Sequence, residues 1–134
     1  YYGHSFCGNP LGAAVALEVL RIFEDEEIVA SVGPRARRIA TAFDALGALP
    51  GVQHVRHRGM IGALDLGLED EGGYLARAGW RVYEEARRRG AYLRPLGNVV
   101  YMAPPLTIPE DDLDRLLAIL AESVEAVVRR GRAA

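Results

Sequence analysis

The chain has 134 residues, half of them hydrophobic and a quarter charged, with a formal net charge of −2. That length fits one domain, and that composition fits a packed soluble core. The balance of 16 basic against 18 acidic side chains supplies no field for nucleic acid or an anionic membrane, and the longest apolar run, Leu11 to Leu17, is too short to span a bilayer.

All 16 basic residues are arginine. With no lysine, no side chain of this chain can form a Schiff base with an aldehyde. The chain opens at Tyr1 on a glycine-containing turn, without a start methionine or a signal-peptide pattern, and reads as a piece of something longer. A lone Cys7 has no intrachain disulfide partner, which fits a reducing compartment and makes a cytoplasmic location the expectation.

Taken in order, YYGHSFCGNP is dense in turn formers and ends on Asn9-Pro10, an N-cap followed by proline at the first helical position. From Leu11 to Phe23 only Glu18 and Arg21 are charged, which predicts a helix buried on most sides. A second helix is expected from Ile28 to Leu49, kinked or split at Gly33-Pro34 because proline removes a helix hydrogen bond, with Ile39, Ala42, Phe43 and Leu46 at helical spacing. Two strands follow, Val52 to His57 and Met60 to Leu66, turning near Arg58-Gly59. Acidic, glycine-rich LEDEGG is a loop, and Tyr74 to Arg89 a helix with Leu75, Ala78, Val82 and Ala86 on one face. Ala91 to Arg94 and Val99 to Met102 are expected as short strands around Pro95-Leu96-Gly97-Asn98. Pro104-Pro105 ends the pairing, and Thr107-Ile-Pro-Glu110 resembles a capping box for a last helix whose core face carries Leu113, Leu116, Leu117, Leu120, Val124 and Val127. This order predicts an α+β fold, a small sheet covered by helices on one side. The arginine clusters at 35–38, 87–89 and 129–132 read as solvated helix faces and ends, where a helix C-terminus favours cations.

Few residues suggest chemistry. His54 and His57, three apart in a strand, should point to opposite faces, and with a single cysteine no metal site is expected. His4 and Ser5 are sequence neighbours, which does not make a catalytic pair. Ser5 lies in a turn before a helix N-terminus, where amides and the dipole favour an anion; its hydroxyl is either a phosphate ligand or a local turn hydroxyl. Arg94, flanked by apolar residues, calls for an anionic partner: Asp65, another internal acid, or a substrate. Tyr101 either lines the same pocket or packs in the core.

GHSFCGNPLGAAVALEVL resembles the class III aminotransferase segment in which a Gly-x-Thr-Phe or His-Thr-Phe turn precedes Gly-Asn-Pro and an alanine-rich helix. RGMIGALDL resembles a strand of that family's small domain, and RRRGAYLRPLGNVVYMAPPLTIPEDDLDRL its C-terminal end. The resemblance covers essentially the whole chain, which would form roughly the last third of such an enzyme. It implies the C-terminal domain of a fold-type I pyridoxal-phosphate (PLP) transferase, with residues 1–25 ending the large cofactor-binding domain and 26–134 forming the small one.

Leu-Arg-Pro-Leu-Gly-Asn followed by Val-Val-Tyr and Pro-Pro is most similar to the branch that passes an amino group from S-adenosylmethionine to 8-amino-7-oxononanoate in biotin biosynthesis. By that resemblance Ser5, standing where the family has threonine, binds the PLP phosphate in a neighbouring subunit's site. His4, where this branch has proline, belongs to the same turn. Gly3 touches substrate through its backbone, Arg94 binds the keto-acid carboxylate, and Tyr101 lies beside it. The implied enzyme is a homodimer whose Schiff-base lysine lies upstream, so this chain alone should be inactive. Two readings stand beside it: a class III ω-aminotransferase with other substrates, and a non-catalytic binding or dimerisation domain.

Overall fold

A computed structural model describes residues 3–67 and 77–131. The predicted LEDEGG loop and the first residues of the helix expected at Tyr74, Leu75 among them, lie outside that range. The chain divides into two units, Tyr1–Ser31 and Val32–Ala134, and the division falls inside a helix. No helix among the described residues is long and apolar enough to cross a membrane.

The first unit holds a turn and helix α1, Pro10–Asp25. Asn9 caps the helix as its spacing predicts: the side-chain oxygen accepts from the Leu11 amide at 3.1 Å, and Pro10 needs no acceptor. The expected burial is not met. No residue of α1 is buried, and Leu11, Val15 and Leu20 stand exposed. An apolar composition records a demand for a covering surface, not whether this chain supplies one.

Helix α2, Ile28–Leu46, runs unbroken through Pro34 rather than splitting there. One hydrogen bond is forfeited, but Ile39, Phe43 and Leu46 on one face are buried and hold the helix in register. In the second unit the sheet contains β1 (Val52–Arg58), β2 (Ile61–Leu66), β3 (Pro95–Leu96) and β4 (Val99–Met102), all antiparallel, in the order β1-β2-β4-β3. Gly62, Leu64 and Leu66 of β2 are buried, as are Val100 and Met102 of β4, so the sheet presents a core face by strict alternation. Against the same core pack α3 (Ala78–Arg88) through Val82 and Ala86 and α4 (Glu110–Gly131) through Leu113, Leu117, Leu120, Val124 and Val127. The predicted small sheet with a helical cover is therefore present.

One strand sits elsewhere than expected. Residues 91–94 carry no ladder; pairing begins at Pro95, opposite Val100, and closes through a two-residue Gly97-Asn98 loop. Pro95 has no amide to donate, so the ladder does not extend back through it. Gly79 fixes this hairpin. Its amide donates to the Gly97 carbonyl at 3.0 Å, and a Cβ there would lie 2.5 Å from that oxygen, so only glycine lets α3 approach so closely.

The arginine clusters stand at solvated helix ends, as at Arg88, Arg129 and Arg130, and they also form ion pairs. Glu85, with a side chain 5% exposed, receives Arg88 at 2.6 Å, Arg89 at 2.5 Å and Arg130 at 2.7 Å, which ties α3 to the last turn of α4. Arg38 likewise joins α2 to Glu110 (2.7 Å) and Asp114 (2.5 Å) of α4. Helical ends gather cations, as expected, but packing brings these onto a buried carboxylate. The hydrogen bond from Arg89, outweighing burial and joined by Arg130 and Arg88, holds the Glu85 carboxyl well below the usual range, at about 2. A depressed carboxylate stabilises the fold above its unfolded value of about 4.3 and loses that contribution as pH falls through its folded value. Denaturant midpoints should therefore drop between about pH 4.5 and 2, and Glu85→Gln should show a shallower drop across that window; an identical slope would mean the arginines do not hold the carboxylate.

Candidate functional site

The candidate residues fall into two groups, one in each unit. Gly3, His4 and Ser5 belong to the turn that precedes α1 and are exposed. The Cys7 amide donates to the His4 carbonyl (3.0 Å) and the Asn9 amide to the Phe6 carbonyl (3.3 Å), forming two successive turns. Gly8 takes φ +73° in the second, a value that side chains resist. The His4 amide meets the Cys7 Sγ at 3.3 Å. Among the described residues the Ser5 hydroxyl makes no hydrogen bond. The Leu11 amide is already used by Asn9. An anion near this helix start would thus be met by the serine hydroxyl more than by that amide.

Arg94 and Tyr101 come together in the second unit. Arg94 immediately precedes Pro95, and Tyr101 immediately follows Val100, the residue that Pro95 pairs with. Both line a groove of about 420 Å³ whose walls include Met102, Pro104, Ile108 and Leu116, and no carboxylate borders it among the described residues. The loop that closes it is held in place: the Arg35 Nε donates to the Ile108 carbonyl at 2.9 Å, and the Ile108 amide to that of Pro105 at 3.2 Å.

Asp65, one of the internal partners open to Arg94 on sequence, is engaged elsewhere. It accepts from Arg56 at 2.9 Å and lies 3.0 Å from the His54 ring. Among the described residues Arg94 makes no ion pair or hydrogen bond, and it is exposed. An arginine at the edge of an apolar groove, without an acid of its own, is equipped to take a carboxylate or phosphate from outside with its planar fork. His57 lies 3.3 Å from Asp44 of α2, so the two imidazoles engage different carboxylates. A bulge between Gln53 and Arg56, with His54 at φ +48°, interrupts the simple alternation that their spacing assumed.

Sequence reasoning passed over Tyr92. It lines the same groove and is 75% exposed, and its neighbours Ala91 and Leu93 are buried. That alternation through Ala91-Tyr92-Leu93-Arg94 was the available signal, since it turns Tyr92 and Arg94 outward together.

Residues 2–124 match the family described as aminotransferase class-III. The chain is 37% identical over 135 residues to an adenosylmethionine-8-amino-7-oxononanoate aminotransferase of Nitratidesulfovibrio vulgaris, covering 98% of this chain and 25% of that protein. It is 37% identical over 131 residues to an enzyme of the same name from Geobacter sulfurreducens, covering 95% of this chain and 29% of the relative. The crystal structure of the adenosylmethionine-8-amino-7-oxononanoate aminotransferase from Methanocaldococcus jannaschii superposes with a TM-score of 0.83 at 33% identity, over 94% of this chain and 30% of that one. The chain thus spans under a third of the length of each.

If Arg94 is kept for a ligand and not for the fold, Arg94→Gln should change the unfolding free energy by no more than about 0.5 kcal/mol in denaturant titration. A loss of several times that size would make it a structural residue instead.

Proposed function

Given that the chain belongs to the class III aminotransferases, we propose that it is the C-terminal part of a PLP-dependent enzyme that transfers an amino group from S-adenosylmethionine to 8-amino-7-oxononanoate, a step of biotin biosynthesis. The observation that carries this reading is Arg94, an exposed guanidinium without an acidic partner among the described residues, set in an apolar groove beside Tyr101. The names of the relatives support the choice of substrates. The complete enzyme is a cytosolic homodimer in this reading, with residues 1–25 ending its large domain and 26–134 forming its small one.

The fit of PLP to these residues is partial. The Ser5 hydroxyl, exposed and without a hydrogen bond among the described residues, suits a phosphate oxygen. No ε-amine exists anywhere in the chain to hold the aldehyde end. When bound, PLP supplies the electron sink for amino-group exchange. This chain's residues bind and orient. Ser5, with His4 shaping the turn, donates to the phosphate. The Gly3 backbone lies along the substrate, and nothing among the described residues stands within 4 Å of where a side chain would begin there. Arg94 pairs with the acceptor's carboxylate through two parallel hydrogen bonds, and Tyr101 closes the groove beside it. Apolar walls at Met102 and Ile108 exclude water from the methylene chain that follows the carboxylate. No residue of this chain moves the reacting proton, so the chain alone is inactive in this account.

In the complete enzyme, Arg94→Ala should raise KM for 8-amino-7-oxononanoate by ten- to a hundredfold, about what a charge-assisted pair contributes, while KM for S-adenosylmethionine changes little. Equal effects on both substrates would remove the carboxylate role.

A further inference from the structure

The Arg94 groove has an aromatic side that neither its carboxylate chemistry nor the packing of the core requires. Tyr92 is 75% exposed and Trp80, on α3, is 53% exposed; between them stands Tyr83. The rings meet edge to face, Tyr92 against Tyr83 with centroids 5.5 Å apart at 83° and Tyr83 against Trp80 at 5.6 Å and 86°. The Arg87 guanidinium lies 5.9 Å from the Tyr83 centroid. Edge-to-face contacts of this kind are favourable beyond the area they bury, and a cation over the middle ring adds to them. A surface tyrosine left alone would sample several rotamers. Here Tyr92 is in edge-to-face contact with Tyr83 and also borders the groove that contains Arg94 and Tyr101.

We infer that Tyr92 is a specificity-determining residue, the aromatic wall along which the apolar chain of a carboxylate ligand lies once its carboxylate is on Arg94. Tyr83 is a positioning residue that acts through it. The inference rests on the reading of the groove as a carboxylate site and adds to that reading a preference for ligands with several methylenes beyond the acid. A ring held by such a contact offers apolar surface to each added CH2 at a reduced ordering cost, so affinity rises with chain length up to the reach of the wall. A short keto acid, ending before the ring, gains nothing from it.

The test uses straight-chain carboxylates from pentanoate to nonanoate as competitors of the keto acid in the complete enzyme. The wild type should bind them about two- to fourfold tighter per methylene. Tyr92→Ala should flatten that slope, and Tyr92→Phe, which keeps the ring, should retain it. Arg94→Ala should weaken all chain lengths by a similar factor and leave the slope in place. A Tyr92→Ala enzyme with the wild-type slope overturns the inference whatever Arg94 does. If Arg94→Ala leaves every affinity unchanged while Tyr92→Ala flattens the slope, the carboxylate reading fails and the wall stands.

Discussion

The approach of α3 to the β3–β4 hairpin, backbone against backbone at Gly79 and Gly97, is the contact on which the rest of the groove depends. A side chain at 79 would push the helix off the loop, and the loop is also held from the other side, where the Leu66 amide donates to the Asn98 carbonyl at 2.9 Å. With the hairpin gripped between α3 and β2, register fixes Tyr101 on β4, and Arg94 stands just ahead of the first paired residue of β3. The aromatic row of Trp80, Tyr83 and Tyr92 depends on the same contact, because it runs from α3 to the segment entering the hairpin.

Four acids described in this unit are engaged by residues other than Arg94. Asp65 goes to Arg56 and His54, Glu85 to three arginines, and Glu110 and Asp114 to Arg38. The Glu85 cluster also has a mechanical consequence. It joins the last turns of α3 and α4, the two helices that cover the sheet, through a carboxylate whose loss would leave three cations converging on a buried position. Arginine suits this role because its planar fork serves two acceptors at once, as Arg89 does with Glu85 and Glu122.

Much of this was legible in the chain because local rules and the fold agree. Asn9-Pro10 starts α1, alternation marks β2 and β4, and the spacing of Leu113, Leu117, Leu120, Val124 and Val127 gives the core face of α4. What was not legible depended on contacts distant in sequence. The apolar residues of α1 do not say which surface covers them. Pro34 reads as a break only if the burial of Phe43 and Ile39 is left out of account. The bulge at His54, the start of pairing at Pro95 rather than at Ala91, and the gathering of three arginines on Glu85 each need a partner strand or helix to be seen. For the site, sequence placed Arg94 and Tyr101 close in number but left Arg94 a choice of partners; the structure removes Asp65 from that choice.

The most direct measurement is a crystal structure of the complete aminotransferase with PLP and 8-amino-7-oxononanoate bound. The acceptor's carboxylate is expected in a bidentate pair with Arg94, its chain against Tyr92, and the Ser5 hydroxyl within hydrogen-bond distance of the phosphate of the cofactor in the neighbouring subunit. A carboxylate bound by residues other than Arg94, or a cofactor phosphate out of reach of any Ser5 hydroxyl, would contradict that expectation.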